Sequence, residues 1–109
     1  MATTSMARRA RRVPMHPGEI LREEFLKPLR LSANKLAQQI GVTTPRVNDI
    51  VLERRGVTAD MAYRLALYFD TTPEFWMGFQ MSYELDVAAK GPAAKARAKI
   101  KPRQVAAAA

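Results

Sequence analysis

A pattern of small and apolar residues in the middle of the chain constrains the fold more than any other part of the sequence. Its members are Leu36, Ala37, Ile40, Gly41, Val42, Val47 and Ile50. The small Ala37 allows a second helix to cross closely, and Gly41 can adopt the left-handed backbone of a tight turn. The other members would fill the wedge between two helices. The spacing therefore predicts a helix-turn-helix, and an ordinary helical hairpin with the same turn is the alternative.

Helix start signals on both sides of this pattern predict an all-α domain of five helices over residues 13–89. The predicted starts are Pro17, Ser32, Thr43 or Thr44, Thr58 and Thr72, and the predicted ends include Pro28, Gly41 and about Ala89. Serine and threonine are favoured there because their hydroxyls accept a hydrogen bond from the first turn. Asp70, after the fourth helix, can take the left-handed conformation that ends a helix. No period-two alternation of apolar residues indicates a strand.

The two ends of the chain differ from the middle in composition. Residues 1–12 contain four arginines, residues 90–109 contain six lysines or arginines, and neither segment has an acidic residue. Because both lack apolar periodicity, we predict a disordered basic arm over 1–12 and a disordered Ala/Lys-rich tail over 90–109. These ends account for the net charge of +8, since residues 13–89 hold 8 basic and 10 acidic residues.

Several classes of protein do not fit the composition. With no cysteine, the chain has neither a disulfide framework nor a cysteine-based zinc site, and its single histidine, His16, cannot form a metal site by itself. It shows no glycine-rich phosphate loop and no catalytic constellation, so we expect neither an enzyme nor a cofactor. No stretch approaches the roughly 20 apolar residues of a membrane span, and we expect a cytoplasmic protein. His16, beside Pro17, is expected to cap or pack at a helix entrance.

The outer side of the third predicted helix offers polar groups to a DNA groove. Arg46 has the fork that suits a guanine edge, and Asn48 could pair with an adenine edge, although either could be plain solvated surface. Asp49 would be repelled by phosphates unless it is paired, and we expect it to pair with Arg46 three residues earlier.

Phosphate contacts are expected on both sides of that helix. The positive N-terminus of the second helix, next to Lys35, suits a phosphate, and Arg54 and Arg55 follow the third helix. From Arg30 to Arg55 there are five basic and two acidic residues, so positive charge is concentrated on this side. The DNA-binding candidates are Ser32, Asn34, Lys35, Thr43, Thr44, Pro45, Arg46, Asn48, Asp49, Arg54 and Arg55.

The fifth predicted helix is more apolar than one core contact requires, because it carries two apolar stripes about 100° apart. One stripe can close the core, and the other either packs against the first helix or forms a dimer interface. The predicted interface consists of Trp76, Met77, Phe79, Met81, Tyr83 and Leu85. A symmetric homodimer would place two recognition helices about 34 Å apart on a near-palindromic, double-stranded operator.

Residues 13–89 resemble the HigA-type antitoxins, which are Xre-class proteins with a lambda-repressor-like fold. The resemblance is carried by residues 16–26, by Leu36-Ala37 and Gly41-Val42, and by residues 54–65 and 72–77. It implies two activities, namely binding of a small RelE-like ribonuclease toxin of the HigB type and repression of the operon that encodes both partners. The long basic C-terminal tail departs from the family pattern.

The pattern of residues marks no toxin-binding surface as clearly as it marks the DNA-binding side. Because ribonuclease toxins are usually basic, the acidic residues of the first helix, Glu19, Glu23 and Glu24, are the candidates. Two other hypotheses stay open. One is a solitary Xre-type repressor without a toxin, and the other is a basic architectural protein that coats DNA through its tails.

Overall fold

The computed structural model describes residues 14–104, and all regular structure in that range is helical. Helix α1 consists of three consecutive segments, Pro17–Ile20, the π-helical Leu21–Leu26 and Lys27–Leu29. The other helices are α2 (Ala33–Ile40), α3 (Thr44–Val51), α4 (Ala59–Phe69), α5 (Pro73–Lys90) and α6 (Ala93–Arg97). Helices α1 to α5 confirm the predicted all-α, five-helix domain.

The boundaries of α2 to α5 are set by local hydrogen bonds. The hydroxyls of Ser32, Thr43, Thr58 and Thr72 each accept a hydrogen bond from the backbone N–H three residues later. At the other ends, Gly41 (φ 73°) and Asp70 (φ 57°) adopt the predicted left-handed conformation. Each hydroxyl cap contributes about 1 kcal/mol, because it satisfies a backbone donor that the helix leaves unpaired.

Pro28 lies inside the last turn of α1 and does not end the helix as predicted. A proline ring clashes with the carbonyl four residues earlier and offers no N–H, so a regular helix is distorted ahead of it. Here the preceding turns widen, and the Lys27 N–H donates to the Arg22 carbonyl five residues back. The helix then ends at Leu29, and Arg30 takes the left-handed conformation.

The core lies between the α2–α3 pair and helices α1, α4 and α5. Trp76 of α5 is fully buried in it and packs against Phe25 of α1, with ring centroids 5.2 Å apart and ring planes tilted by 46°. Its indole N–H donates to the Thr71 hydroxyl at 2.8 Å, so burial leaves no unpaired donor. The other core residues are Met15, Ile20, Leu21, Leu26, Leu36, Ala37, Ile40, Val47, Ile50, Val57, Met61, Ala62, Leu65 and Ala66.

The start of α1 packs directly on the backbone of α3. A Cβ atom on Gly18 would lie 1.8 Å from the Ile50 carbonyl oxygen, so only glycine fits at this contact. The Gly18 N–H donates to Nδ1 of His16 at 2.8 Å, which confirms that His16 caps the helix. The imidazole also meets the ring of Tyr83 edge to face, with centroids 4.8 Å apart.

The C-terminal segment differs in part from the predicted disordered tail, because Ala93–Arg97 form the short helix α6. Its alanines favour helix, and the Arg97 guanidinium donates to the Ala88 carbonyl of α5. The predicted basic arm over 1–12 lies outside the described residues, as do residues 105–109. Within 14–104, no helix is both long and apolar enough to cross a membrane.

Candidate nucleic-acid interface

Helices α2 and α3 pack around the predicted tight turn. Leu36, Ala37, Ile40, Val47 and Ile50 are all buried. The N–H after the left-handed glycine donates back to the Ala37 carbonyl at 3.0 Å, which closes the end of α2. The arrangement confirms the helix-turn-helix prediction.

Two arginines that sequence reasoning missed hold this unit in place. Arg64 of α4 donates to the Ile40 carbonyl at 2.7 Å, at the turn between α2 and α3. Arg22 of α1 donates to the Val51 carbonyl at the opposite end of α3 and forms an ion pair with Glu53 at 3.3 Å. Both contacts span more than 20 residues of sequence. The only local signal is the Asp60–Arg64 pair on α4, and it does not point to the turn.

The N-terminus of α3 presents the predicted polar face. The Thr44 hydroxyl donates to the amide oxygen of Asn34 at 2.8 Å, which joins the first turns of α2 and α3. Pro45 and Asn48 are exposed on the outer side of α3, and Lys35 is exposed next to Asn34 in the first turn of α2. Ser32 and Thr43 cap these two helices.

The predicted pairing of Asp49 with Arg46 is wrong. The Asp49 carboxylate lies 3.0 Å from Arg54 and 4.0 Å from Arg55. After α3 the chain reverses through the left-handed Glu53, and the Arg54 N–H donates to the Asp49 carbonyl at 2.8 Å. This reversal places both arginines near the Asp49 carboxylate, and their positive charges offset its negative charge.

Arg46 extends away from Asp49 and towards α4. Its Nη2 lies 3.4 Å from the hydroxyl of Thr58, the residue that caps α4. Its Nε is buried and has no hydrogen-bond partner among the described residues. The side chain is therefore held on the flank of α3 by one long hydrogen bond.

A buried glutamine of α5 supports the loop that follows α3. The side-chain oxygen of Gln80 accepts a hydrogen bond from the Val57 N–H at 2.7 Å, and its amide donates to Glu84 at 2.6 Å. Sequence reasoning missed this residue, although a single amide within an apolar helix is a usable signal. It links α5 to the end of the helix-turn-helix.

The predicted dimer residues divide into two groups. Trp76 is fully buried in the core of this chain, so its prediction as an interface residue is wrong. Tyr83 packs on His16, and Met77 and Phe79 pack against the core while half-buried. Met81 and Leu85 remain on the surface, with 60% and 64% of their area exposed.

The acidic candidates for toxin binding are all on α1. Glu23 lies 2.9 Å from Lys27 and 3.0 Å from Arg22. Hydrogen bonds from Lys27 and then Arg22 hold the pKa of Glu23 below its ordinary value, because both stabilise the ionised form. Glu19 and Glu24 are half-buried on the same helix.

The α2–α3 pair, its exposed polar face and its support from α1, α4 and α5 define the class of helix-turn-helix DNA-binding regulators. Residues 23–76 match the family model described as "Helix-turn-helix". Virulence-associated protein I of Dichelobacter nodosus is 51% identical over 74 residues, which are 68% of each chain. Antitoxin HigA-1 of Vibrio cholerae is 37% identical over 79 residues, 72% of this chain and 73% of that protein.

Solved structures agree with these relatives. The Pseudomonas aeruginosa antitoxin HigA, solved with the higBA promoter, superposes with a TM-score of 0.78 and is 47% identical, covering 84% of this chain and 99% of that one. The antitoxin GraA in complex with its operator gives the same TM-score and identity, covering 84% and 93%. The chain belongs to the helix-turn-helix family, in the group that contains the HigA antitoxins. This family consists of regulators and not of enzymes.

Proposed function

We propose that this protein is a cytoplasmic, DNA-binding antitoxin that represses its own operon and neutralises a small HigB-like ribonuclease. One observation carries the DNA-binding half of the proposal, namely the exposed polar face of α3 within a helix-turn-helix that Arg64 holds at the turn and Arg22 holds at the end of α3. Relatives that are 47% identical have been solved with promoter or operator DNA, which supports the same use here. In this proposal α3 lies in the major groove.

Asn48 is the proposed base-reading residue, because it is exposed on the outer side of α3 and its amide matches an adenine edge. Pro45, Thr43 and Thr44 border it, and Ser32, Asn34 and Lys35 offer phosphate contacts from α2. Arg54 and Arg55 are the proposed phosphate contacts on the other side of α3, because two arginines paired with the single Asp49 keep a net positive charge.

The test is a binding titration with DNA from upstream of the operon and with copies carrying substituted base pairs. Asn48→Ala is expected to weaken operator binding by about 1–3 kcal/mol and to reduce discrimination between the two DNAs. Gln39→Ala is the matched control, because Gln39 is an exposed amide on α2 that lines a cleft with Leu67 and Tyr68 of α4. Equal binding of all DNAs by the unmodified chain would instead support an architectural protein.

We further propose that the protein binds its operator as a homodimer. Burial of exposed apolar side chains on α5 against a second copy would favour association. Met81 and Leu85 are the most exposed members of the predicted interface. Replacing both with serine is expected to shift the protein from dimer to monomer in analytical ultracentrifugation. An unchanged sedimentation profile would remove this face from the interface.

The toxin half of the proposal rests on family membership and on the acidic residues of α1. Co-expression with the neighbouring small open reading frame tests it, and relief of growth arrest together with a stoichiometric complex is the expected result. Glu19, Glu23 and Glu24 changed together to glutamine should weaken that complex. A neighbour that is harmless, or toxic without binding this chain, would leave a solitary repressor as the function.

A further inference from the structure

We propose that Arg46 binds a DNA phosphate and does not read a base, which makes it a sequence-independent contact of the interface. This inference rests on the proposed function and deepens it, because it assigns the chemical class of the group that Arg46 recognises. Its basis is the direction, the hydrogen bonding and the charge of one side chain.

The position of Arg46 around α3 is the first argument. Val47 and Ile50 mark the inward direction of the helix, since both are fully buried. At 100° per residue, Arg46 lies roughly 70° from that direction, whereas Pro45 and Asn48 lie roughly 130–170° from it. Arg46 is therefore on the flank of the helix and not on its outer face.

The contacts of Arg46 keep it on that flank. Its guanidinium reaches Thr58 in the loop before α4, and the Thr58 hydroxyl also accepts from the Met61 N–H at 3.2 Å. When a helix lies in the major groove, its outer face meets base edges and its flanks face the sugar–phosphate backbones. A side chain aimed along the flank is placed for a phosphate.

The charge of Arg46 is the third argument. Arg22, Arg54 and Arg64 each lie within 3.0 Å of a carboxylate. Among the described residues, Arg46 has no carboxylate within ion-pair distance, and its single hydrogen bond, at 3.4 Å, goes to a neutral hydroxyl. A guanidinium carries five N–H donors, so most of its donors remain for an anion.

The test measures operator affinity as a function of salt for the full chain and for Arg46→Gln and Arg46→Lys. A phosphate contact predicts that Arg46→Gln weakens binding about 10-fold at roughly 0.1 M salt and reduces the slope of log K against log salt by about 1. The same factor should apply to the operator and to DNA with substituted base pairs. Arg46→Lys should restore the slope, because a phosphate accepts a point charge and a bidentate base contact does not.

Other outcomes overturn the inference. Lost discrimination at an unchanged slope after Arg46→Gln would make Arg46 a base reader. Unchanged affinity and slope would mean that Arg46 only links α3 to Thr58 and does not contact DNA. A lowered melting temperature with an unchanged slope would lead to the same conclusion. Asn48→Ala is the contrasting variant, expected to lose discrimination and keep its slope. If the unmodified full chain bound the operator and the substituted DNA equally well, the proposed function itself would be overturned, independently of Arg46.

Discussion

Helices α3 and α5 each bury one side in the core, yet the sides that they turn away from it differ in chemistry. The outer side of α3 carries Pro45, Asn48 and Asp49, which is ion-paired with Arg54 and Arg55, whereas that of α5 carries Met81 and Leu85. Burying a polar surface is favourable only if the partner replaces the hydrogen bonds that the surface made with water. Burying an apolar surface against any closely fitting partner lowers the free energy. One chain thus presents one side suited to nucleic acid and another suited to protein.

The two helices also differ in how firmly the fold holds them. Helix α3 is anchored at its C-terminal end by Arg22 of α1, the turn before it is held by Arg64 of α4, and its backbone is in direct contact with Gly18. Helix α5 is anchored over its first half through Trp76 and Gln80, and its second half is largely exposed. A recognition helix needs a fixed orientation, because a base contact depends on distances of a few tenths of an ångström.

The largest expected effect tests the division of α5 into a buried and an exposed side. Trp76→Ala is expected to lower the free energy of unfolding by about 3–5 kcal/mol, because it leaves a cavity among the aromatic rings. Leu85→Ala, at an exposed position on the same helix, should change it by less than about 1 kcal/mol. Denaturant unfolding at a concentration where the chain is monomeric measures both. Equal losses would mean that the two sides of α5 are not distinct.

A second pair of variants compares the close contact between α1 and α3 with an open position on α5. Gly18→Ala is expected to cost about 3 kcal/mol or more, because the added methyl group would displace the Ile50 carbonyl. Gly78→Ala is the matched control in α5, where an added Cβ meets nothing within 4 Å, and it should stabilise the chain by up to about 1 kcal/mol. Thermal and denaturant unfolding measure both, and a neutral Gly18→Ala would refute the close contact.

The smallest expected effect concerns pH and the point where α1, α3 and α5 meet. Burial lowers the pKa of His16 below its ordinary value of 6.5, outweighing the opposing effect of Glu53. The unfolded chain therefore takes up a proton before the folded chain does. Stability should be complete above about pH 6.5 and should fall as the pH drops below it, by at most about 1.4 kcal/mol per pH unit.

His16→Asn isolates this contribution, because asparagine can cap the helix and does not titrate. Denaturant unfolding between pH 5 and about pH 7 should show a pH dependence that is weaker in the variant than in the unmodified chain. The same slope in both proteins would assign the effect to other groups.

Much of the fold could be predicted from local sequence. The capping hydroxyls, the left-handed Gly41 and Asp70, and the spacing of the buried residues of α2 and α3 act over a few residues, and all of them were predicted. Two of the errors arose where a side chain had more than one possible partner. Asp49 was assigned to Arg46 on the same helix, but the chain reversal offered it Arg54 and Arg55. Likewise, the pattern of two apolar stripes on α5 does not show which stripe faces the core, and Trp76 was therefore assigned to the interface although it is buried.

The sequence by itself determined helices α2 to α5 with their capped starts, the tight turn and the family, because these depend on backbone hydrogen bonds and periodicity within a few residues. Only the tertiary structure decided that Arg22 and Arg64 hold the recognition unit, that Gln80 supports the loop after it, and that Arg46 turns towards Thr58. Those choices join residues from 12 to 29 positions apart. Their geometry exists only once the core has packed, since packing fixes which polar groups come within hydrogen-bond distance.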